Sequence, residues 1–432
     1  MAAETVGVIG IVILVVLMFL RMKLGTAMIL VGFLGYAFLA SLDKALIMVG
    51  LEPHAQTNYY QITALPLFIL MGTVVAASGI SKDLYEAVRK WIGHVRGGLA
   101  MATVGACGLF AAVCGDSIAT AVTMGKIAHP EMRRYNYDDR LSSGAIAAGG
   151  TIGILIPPST GFILYALLTE QSVGHLFMAG VIPGILEVLF YMAAIFIVCR
   201  INPGMGPPGP RVSFREKVEG SFTIWPMVLI FLLIMGGIYG GIFTPTEAGA
   251  IGAFGAFVVG FALSGLKWPG VKSAITETAS NTAMILYLLV GAYIFMRFTA
   301  VSNLPAYLSD LIIGIQVPPI FIIIGLLFVY IILGSFLDVL IVIILTTPIV
   351  FPTILALGYD PIWWGVIMVR IMEIGMVTPP YGINLFVLAK TINVPLGTVY
   401  RGVAPFVLAD LLHISLLVAV PEISLFLVRT MF

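Results

Sequence analysis

Charge is scarce in this chain. Asp, Glu, Lys and Arg make up 10% of the 432 residues, hydrophobic residues 60%, and the mean hydropathy is +1.09. That balance leaves no room for a soluble domain, which needs a polar surface. Cysteine is scarce as well. Cys107, Cys114 and Cys199 lie in apolar surroundings with neither disulfide nor metal spacing, so they read as small packing residues. The five histidines show no metal spacing, and His129 and His175 read as loop residues. A Walker A sequence is missing, which excludes ATP as the direct energy source. A net charge of +1 singles out no partner, no nucleic acid is expected, and no set of catalytic residues marks an enzyme.

Long apolar runs fill the chain instead, among them Val6–Leu20, Leu24–Leu42 and Ile224–Tyr239. Runs of about 18 or more apolar residues are long enough to cross roughly 30 Å of hydrocarbon. The first run lacks a small-residue cleavage site and reads as a retained span. Two of the apolar segments are interrupted alike. Pro157-Pro158 and Pro379-Pro380 stand 222 residues apart, each in a Gly-rich setting. Proline removes a helical N–H and clashes with the preceding turn, so each pair unwinds a helix. Broken backbone at membrane depth is tolerated where it is buried in protein or lines a wet cavity. Paired breaks of this kind point to a transporter's binding site.

The same offset aligns more than the prolines. Between residues 116–183 and 338–405, 13 of 68 positions are identical without a gap. They include Asp116/Asp338, Tyr137/Tyr359, Asp138/Asp360, Gly153/Gly375 and Gly180/Gly402. Backbone-shaping residues recur while ordinary apolar ones drift, as after a duplication. The basic residues do not recur. Ser81–Gly97 and Lys126–Arg140 each carry four Lys or Arg, whereas Asn303–Pro318 and Pro348–Ile362 carry none. Cytoplasmic loops accumulate Lys and Arg, so the two halves are expected to be inverted in the membrane.

The expected fold is an all-α polytopic membrane protein of two inverted repeats, with about ten spans and two re-entrant hairpins. Residues 1–199 form the first repeat, with a hairpin over 99–129 and a broken span over 141–168. A polar cytoplasmic linker covers 200–220. The second repeat occupies 221–432, with a hairpin over 319–350 and a broken span over 363–389. On this topology 18 of the 22 Lys and Arg are cytoplasmic, and Arg297 and Arg370 lie in the membrane.

Each half thus offers a hairpin tip and a helix break. Exposed helix-end carbonyls attract cations, and free N-terminal N–H groups attract carboxylates. One cation site is expected between Gly115, Ser117, Gly153, Ile156 and Pro158, and its twin between Gly334, Asp338, Gly375 and Thr378. The plainer reading is that these glycines only permit close helix packing. Asp116 and Asp338 shape the tips, bind a cation or accept a proton. Ser159, Thr160, Tyr381, Gly382 and Asn384 flank the breaks and are placed, with Asp116, on the substrate side. Arg297 either pairs with a substrate carboxylate or snorkels to the surface. Arg370 is expected in a structural ion pair, and Glu373 in an asymmetric role or a helix contact.

Gly149-Gly-Thr-Ile-Gly-Ile-Leu-Ile-Pro-Pro-Ser159 and Met372-Glu-Ile-Gly-Met-Val-Thr-Pro-Pro-Tyr-Gly-Ile-Asn-Leu-Phe386 resemble the large membrane subunit of tripartite ATP-independent periplasmic (TRAP) transporters. Leu65-Pro-Leu-Phe-Ile-Leu-Met-Gly72 and Phe243-Thr-Pro-Thr-Glu-Ala-Gly-Ala250 fit the same family. The resemblance spans nearly the whole chain. It implies an elevator-type secondary transporter of the bacterial inner membrane, driving uptake of an organic acid with Na⁺ bound at two sites near the tips and breaks. It also implies a small four-helix membrane subunit and a periplasmic substrate-binding protein as partners. The chain departs from the family at Cys114-Gly-Asp-Ser117, where a Gly-Ser-Ser pattern is expected, and at Arg370, more often uncharged. The rival readings are a stand-alone divalent-anion symporter of the same superfamily and a membrane assembly subunit without transport of its own.

Overall fold

The computed structural model describes residues 2–314 and 317–431. Residues 1, 315, 316 and 432 lie outside it, and with them the outer bounds of the two expected halves and part of the 303–318 stretch. Among the described residues every regular element is helical.

Helices α1 (Ala3–Phe19) and α2 (Leu24–Leu39) form a hairpin. Helix α3 (Leu42–Thr57), capped by Ser41, turns Leu42, Leu46, Ile47 and Leu51 outward. Sequence reading passed over it because Asp43, Lys44, Glu52 and Pro53 interrupt its apolar run. Helix α4 (Ala64–Ser78) follows a 3-10 turn over Tyr60–Thr63. The basic stretch after it is itself largely helical, as α5 (Ile80–Ile92), with Leu84, Tyr85 and Ala87 buried and Lys82 and Trp91 exposed.

The first hairpin is α6 (Gly98–Cys114) and α7 (Ser117–Arg134), and the first broken span is α8 (Asp139–Leu155) and α9 (Thr160–Thr169). Helix α10 (Val173–Ile201) ends just inside the expected linker and α11 (Phe214–Tyr239) begins well before its end, leaving a 3-10 turn and a short coil between them. Ser213 and Glu216 close a capping box that starts α11 there. His129 lies within α7 and His175 within α10, so neither is a loop residue; both were masked by polar neighbours in the sequence.

Next come α12 (Pro245–Ala262), α13 (Trp268–Val301) and α14 (Leu304–Ile313). The second hairpin is α15 (Pro319–Phe336) and α16 (Val339–Ala356), and the second broken span α17 (Pro361–Met376) and α18 (Ile383–Ile392). Helix α19 (Leu396–Ala419) ends at Val420-Pro421, before a short α20 (Glu422–Arg429). Nine stretches among the described residues are long and apolar enough to cross a bilayer, with α8 and α9 taken together and both limbs of the second hairpin included. The chain is an all-helical, multi-pass membrane protein.

The core centres on the two broken spans. Every residue from Leu141 to Leu155 in α8 is buried, and so is every residue from Ile362 to Met376 in α17. A helix buried all round must be apolar or small on every face, as the Gly, Ala and Ile of α8 are. The small residues also admit close neighbours: Gly144 of α8 faces the backbone of Gly402 in α19, with no space for a side chain.

Candidate functional site

The hairpin tips are turned by glycine or an extended residue and fixed by aspartate. Gly115 ends α6 at φ +64°, a conformation open to glycine at little cost. Asp116 then caps α7, its carboxylate accepting from Ala119 N at 2.6 Å. Asp338 does the same for α16 through Leu340 N at 2.9 Å. Each carboxylate therefore has a tip-shaping task, the one expected of an N-cap.

Each tip lies on the break of its own half. A side-chain carbon on Gly115 would come within 2.5 Å of Pro158 O, and one on Gly153 within 2.7 Å of Asp116 O. Thr160 Oγ1 donates to Gly115 O across 3.0 Å. In the second half a carbon on Gly375 would meet the Gly334 backbone at 2.8 Å, and Gly382 N donates to Ser335 O at 3.0 Å. Thr378 Oγ1 turns back to Ile374 O at 2.5 Å. Gly115, Ser117, Gly153, Ile156 and Pro158 are thus brought together and buried, as are Gly334 and Gly375 beside the half-buried Asp338 and Thr378.

The remaining candidates divide. Ser159 is buried and caps α9 through Phe162 N at 3.2 Å. Asn384 is fully buried and reaches across to α8, donating to Ala147 O at 3.2 Å. Tyr381 is half exposed against Phe336 and Phe386, beside Gly382 at φ +61°. Arg297 is not drawn to the breaks. Its Nε donates to Glu52 of α3 at 2.6 Å, and it lines a cavity of about 350 Å³ with Tyr59, Leu167, Glu170 and Tyr293. Leu167 stands near the far end of α9, roughly 12 Å along that helix from Ser159.

Between the halves lies a polar layer that sequence reading missed in part. Ser117 Oγ donates to Glu373 Oε1 across 2.8 Å, joining the first tip to the second broken span. One turn away, Arg370 Nη1 stands 3.2 Å from Glu187 of α10, Nη2 binds Asp410 of α19, and Nε bonds His413 Nδ1 at 3.0 Å. The ion pair expected for Arg370 is present, but Glu187, Asp410 and His413 were not foreseen. The signal was available: an intramembrane Arg requires intramembrane carboxylates, and Glu187 and Asp410 stand in apolar runs.

The tripartite ATP-independent periplasmic transporter family, DctM component, matches residues 11–423. The C4-dicarboxylate TRAP transporter large permease protein DctM of Pseudomonas aeruginosa is 37% identical over 370 residues, 85% of this chain and 86% of that protein. The ectoine TRAP transporter large permease protein TeaC of Halomonas elongata is 31% identical and aligns over 94% of both chains. The sialic acid large permease SiaM of Vibrio cholerae is 30% identical over 85% of this chain and 86% of its own length. Among solved structures, the YdaH transporter of Alcanivorax borkumensis shares the fold at a TM-score of 0.62, with 16% identity and 88% of each chain covered. With paired breaks, paired tips and this match along nearly its whole length, the chain belongs to the DctM family of large permeases of tripartite ATP-independent periplasmic transporters.

Proposed function

We propose that this permease carries a carboxylate-bearing organic acid inward, driven by Na⁺. The observation that carries the reading is the seating of each hairpin tip against the break of its own half, Gly115 on Pro158 O in the first and Ser335 O accepting from Gly382 N in the second. Helix ends and main-chain carbonyls there suit a monovalent cation, and two such seats imply two ions per carrier. Gly115, Ser117, Gly153, Ile156 and Pro158 would hold one ion, and Gly334, Asp338, Gly375 and Thr378 the other. Helix α18 has no side-chain cap. Its free N–H groups favour an anion, so Gly382 and Tyr381, with Ser159, Thr160 and Asp116 across from them, form the substrate-facing set.

The two halves are read as inverted repeats, and the hairpins with the broken spans as one body that slides against the other helices as an elevator. A small membrane subunit and a periplasmic binding protein complete the transporter on this reading. An isethionate permease from Oleidesulfovibrio alaskensis, named DctMQ, aligns over 85% of this chain but only 58% of its own length, which supports a second membrane component. The relatives are named for dicarboxylates, sialic acid and ectoine, so the organic acid is left as a class. The test is uptake into proteoliposomes holding both membrane subunits, with the binding protein outside. An inward Na⁺ gradient is expected to drive accumulation; equal uptake with K⁺ in its place rejects the reading.

A further inference from the structure

Glu373 is the one carboxylate of the polar layer that no cation meets. It is fully buried, Oε1 accepts from Ser117 Oγ at 2.8 Å, and Oε2 has no hydrogen-bond partner among the described residues. Asn384 is in the same condition. Its Nδ2 is engaged by Ala147 O, while Oδ1 is buried and unpartnered. The two belong to one neighbourhood: a side-chain carbon on Gly150 would lie 3.1 Å from Asn384 Nδ2 and 3.1 Å from Ser117 O.

A buried carboxylate oxygen without a partner carries a large desolvation cost. Arg370, one turn before Glu373 on α17, does not relieve it, because its guanidinium faces Glu187, Asp410 and His413. The local count is one guanidinium against three carboxylates. The unpaired atoms are oxygens: a carboxylate and an amide carbonyl, beside a serine hydroxyl and its main-chain carbonyl. That is a hard donor set of the kind that takes an alkali cation.

We infer that the cation seat at the first hairpin tip is shared between the halves, with Ser117 supplied by the hairpin and Glu373 and Asn384 by the second broken span. Glu373 brings the negative charge that a seat of main-chain carbonyls lacks. An ion there ties α7 to α17 and α18, so loading it locks the two tips into one body. The inference rests on the sodium reading for its choice of ion.

The test reads binding without transport. The purified permease in detergent is unfolded by heat over a NaCl series, with choline chloride holding ionic strength constant. Wild type is expected to be stabilised by Na⁺. Glu373→Gln is expected to keep its midpoint in choline, to raise the half-saturating Na⁺ concentration roughly tenfold or more, and to lower the Hill coefficient. Asn384→Ala is expected to weaken Na⁺ in the same direction, and it decides the matter if Glu373→Gln does not fold. A wild-type Na⁺ titration in both variants overturns the shared seat alone. An unchanged Na⁺ titration with an altered pH profile in Glu373→Gln marks a proton-carrying carboxyl and also overturns it. No Na⁺ response in wild type overturns the sodium reading itself.

Discussion

Arg370 of α17 and Glu187 of α10 face each other across 3.2 Å, neither with any exposure to solvent. With Asp410 of α19 they join three long helices around the second break. Such a cluster gives little net stability over well-packed apolar residues, but removing one partner strands the others. Arg370→Ala is therefore expected to destabilise the permease by about 3–5 kcal/mol. Arg370→Met combined with Glu187→Gln and Asp410→Asn is expected to recover most of that loss. Thermal unfolding in detergent distinguishes them; a single variant as stable as wild type would mean that the carboxylates do not need the guanidinium.

The seating of tips on breaks leaves no space for a methyl group. Gly115→Ala meets Pro158 O at 2.5 Å and a φ of +64°, and Gly375→Ala meets Gly334 backbone at 2.8 Å. Backbone on backbone cannot give way as a flexible side chain does. Both variants are expected to insert into the membrane and, if the proposed ion seats lie there, to lose most Na⁺-driven uptake, by at least roughly tenfold, since about 1–3 kcal/mol of overpacking falls on the tip-to-break contacts. Gly397→Ala, in α19 with open space around it, is the control and is expected to transport normally. Uptake assays alongside membrane quantification check all three.

The breaks and tips were legible because their signals are local. Pro157-Pro158 and Pro379-Pro380 unwind a helix whatever surrounds them, and Gly115-Asp116 turns and caps the chain within a few residues. Helix α3 was hidden because its apolar stripe faces outward and its polar residues resemble a loop. The pairing of Ser117 with Glu373 was hidden for another reason: 256 residues separate them, and no pattern within either segment names its partner. Arg370 lay between these cases. Its burial demanded an acid, yet nothing local told Glu187 and Asp410 from other intramembrane carboxylates.

Arg297 offers a check on how far the substrate site extends. Its side chain is 63% exposed and pairs with Glu52, which is itself also held by Gln56 Nε2 at 3.0 Å. Glu52 is buried, but the guanidinium that meets it stands in solvent, so the pair contributes on the order of 1 kcal/mol. Arg297→Gln is expected to leave the KM for uptake within about twofold, whereas loss of a true carboxylate clamp would raise it by roughly 10- to 100-fold. Concentration series of uptake with the complete transporter separate the two outcomes.

The turn between the first hairpin and the first broken span carries a pH-dependent element. Asp138 caps α8 through Arg140 N at 2.8 Å and accepts from Arg140 Nη2 at 2.7 Å. The hydrogen-bonded guanidinium of Arg140 holds the Asp138 carboxyl below its ordinary value. A depressed carboxylate stabilises the fold above its unfolded pKa, about 3.9, and loses that contribution as pH falls through its lower folded value. Asp138→Asn keeps a capping side chain but not the charge. It is expected to be less stable than wild type by up to about 1 kcal/mol above pH 5, given the exposure of the pair, and to converge with wild type in stronger acid. Asp138→Ala loses the cap too, about 1 kcal/mol more, and that part of the deficit persists at every pH. Unfolding midpoints across a pH series decide it: a constant gap between Asp138→Asn and wild type would show that the guanidinium contact contributes nothing.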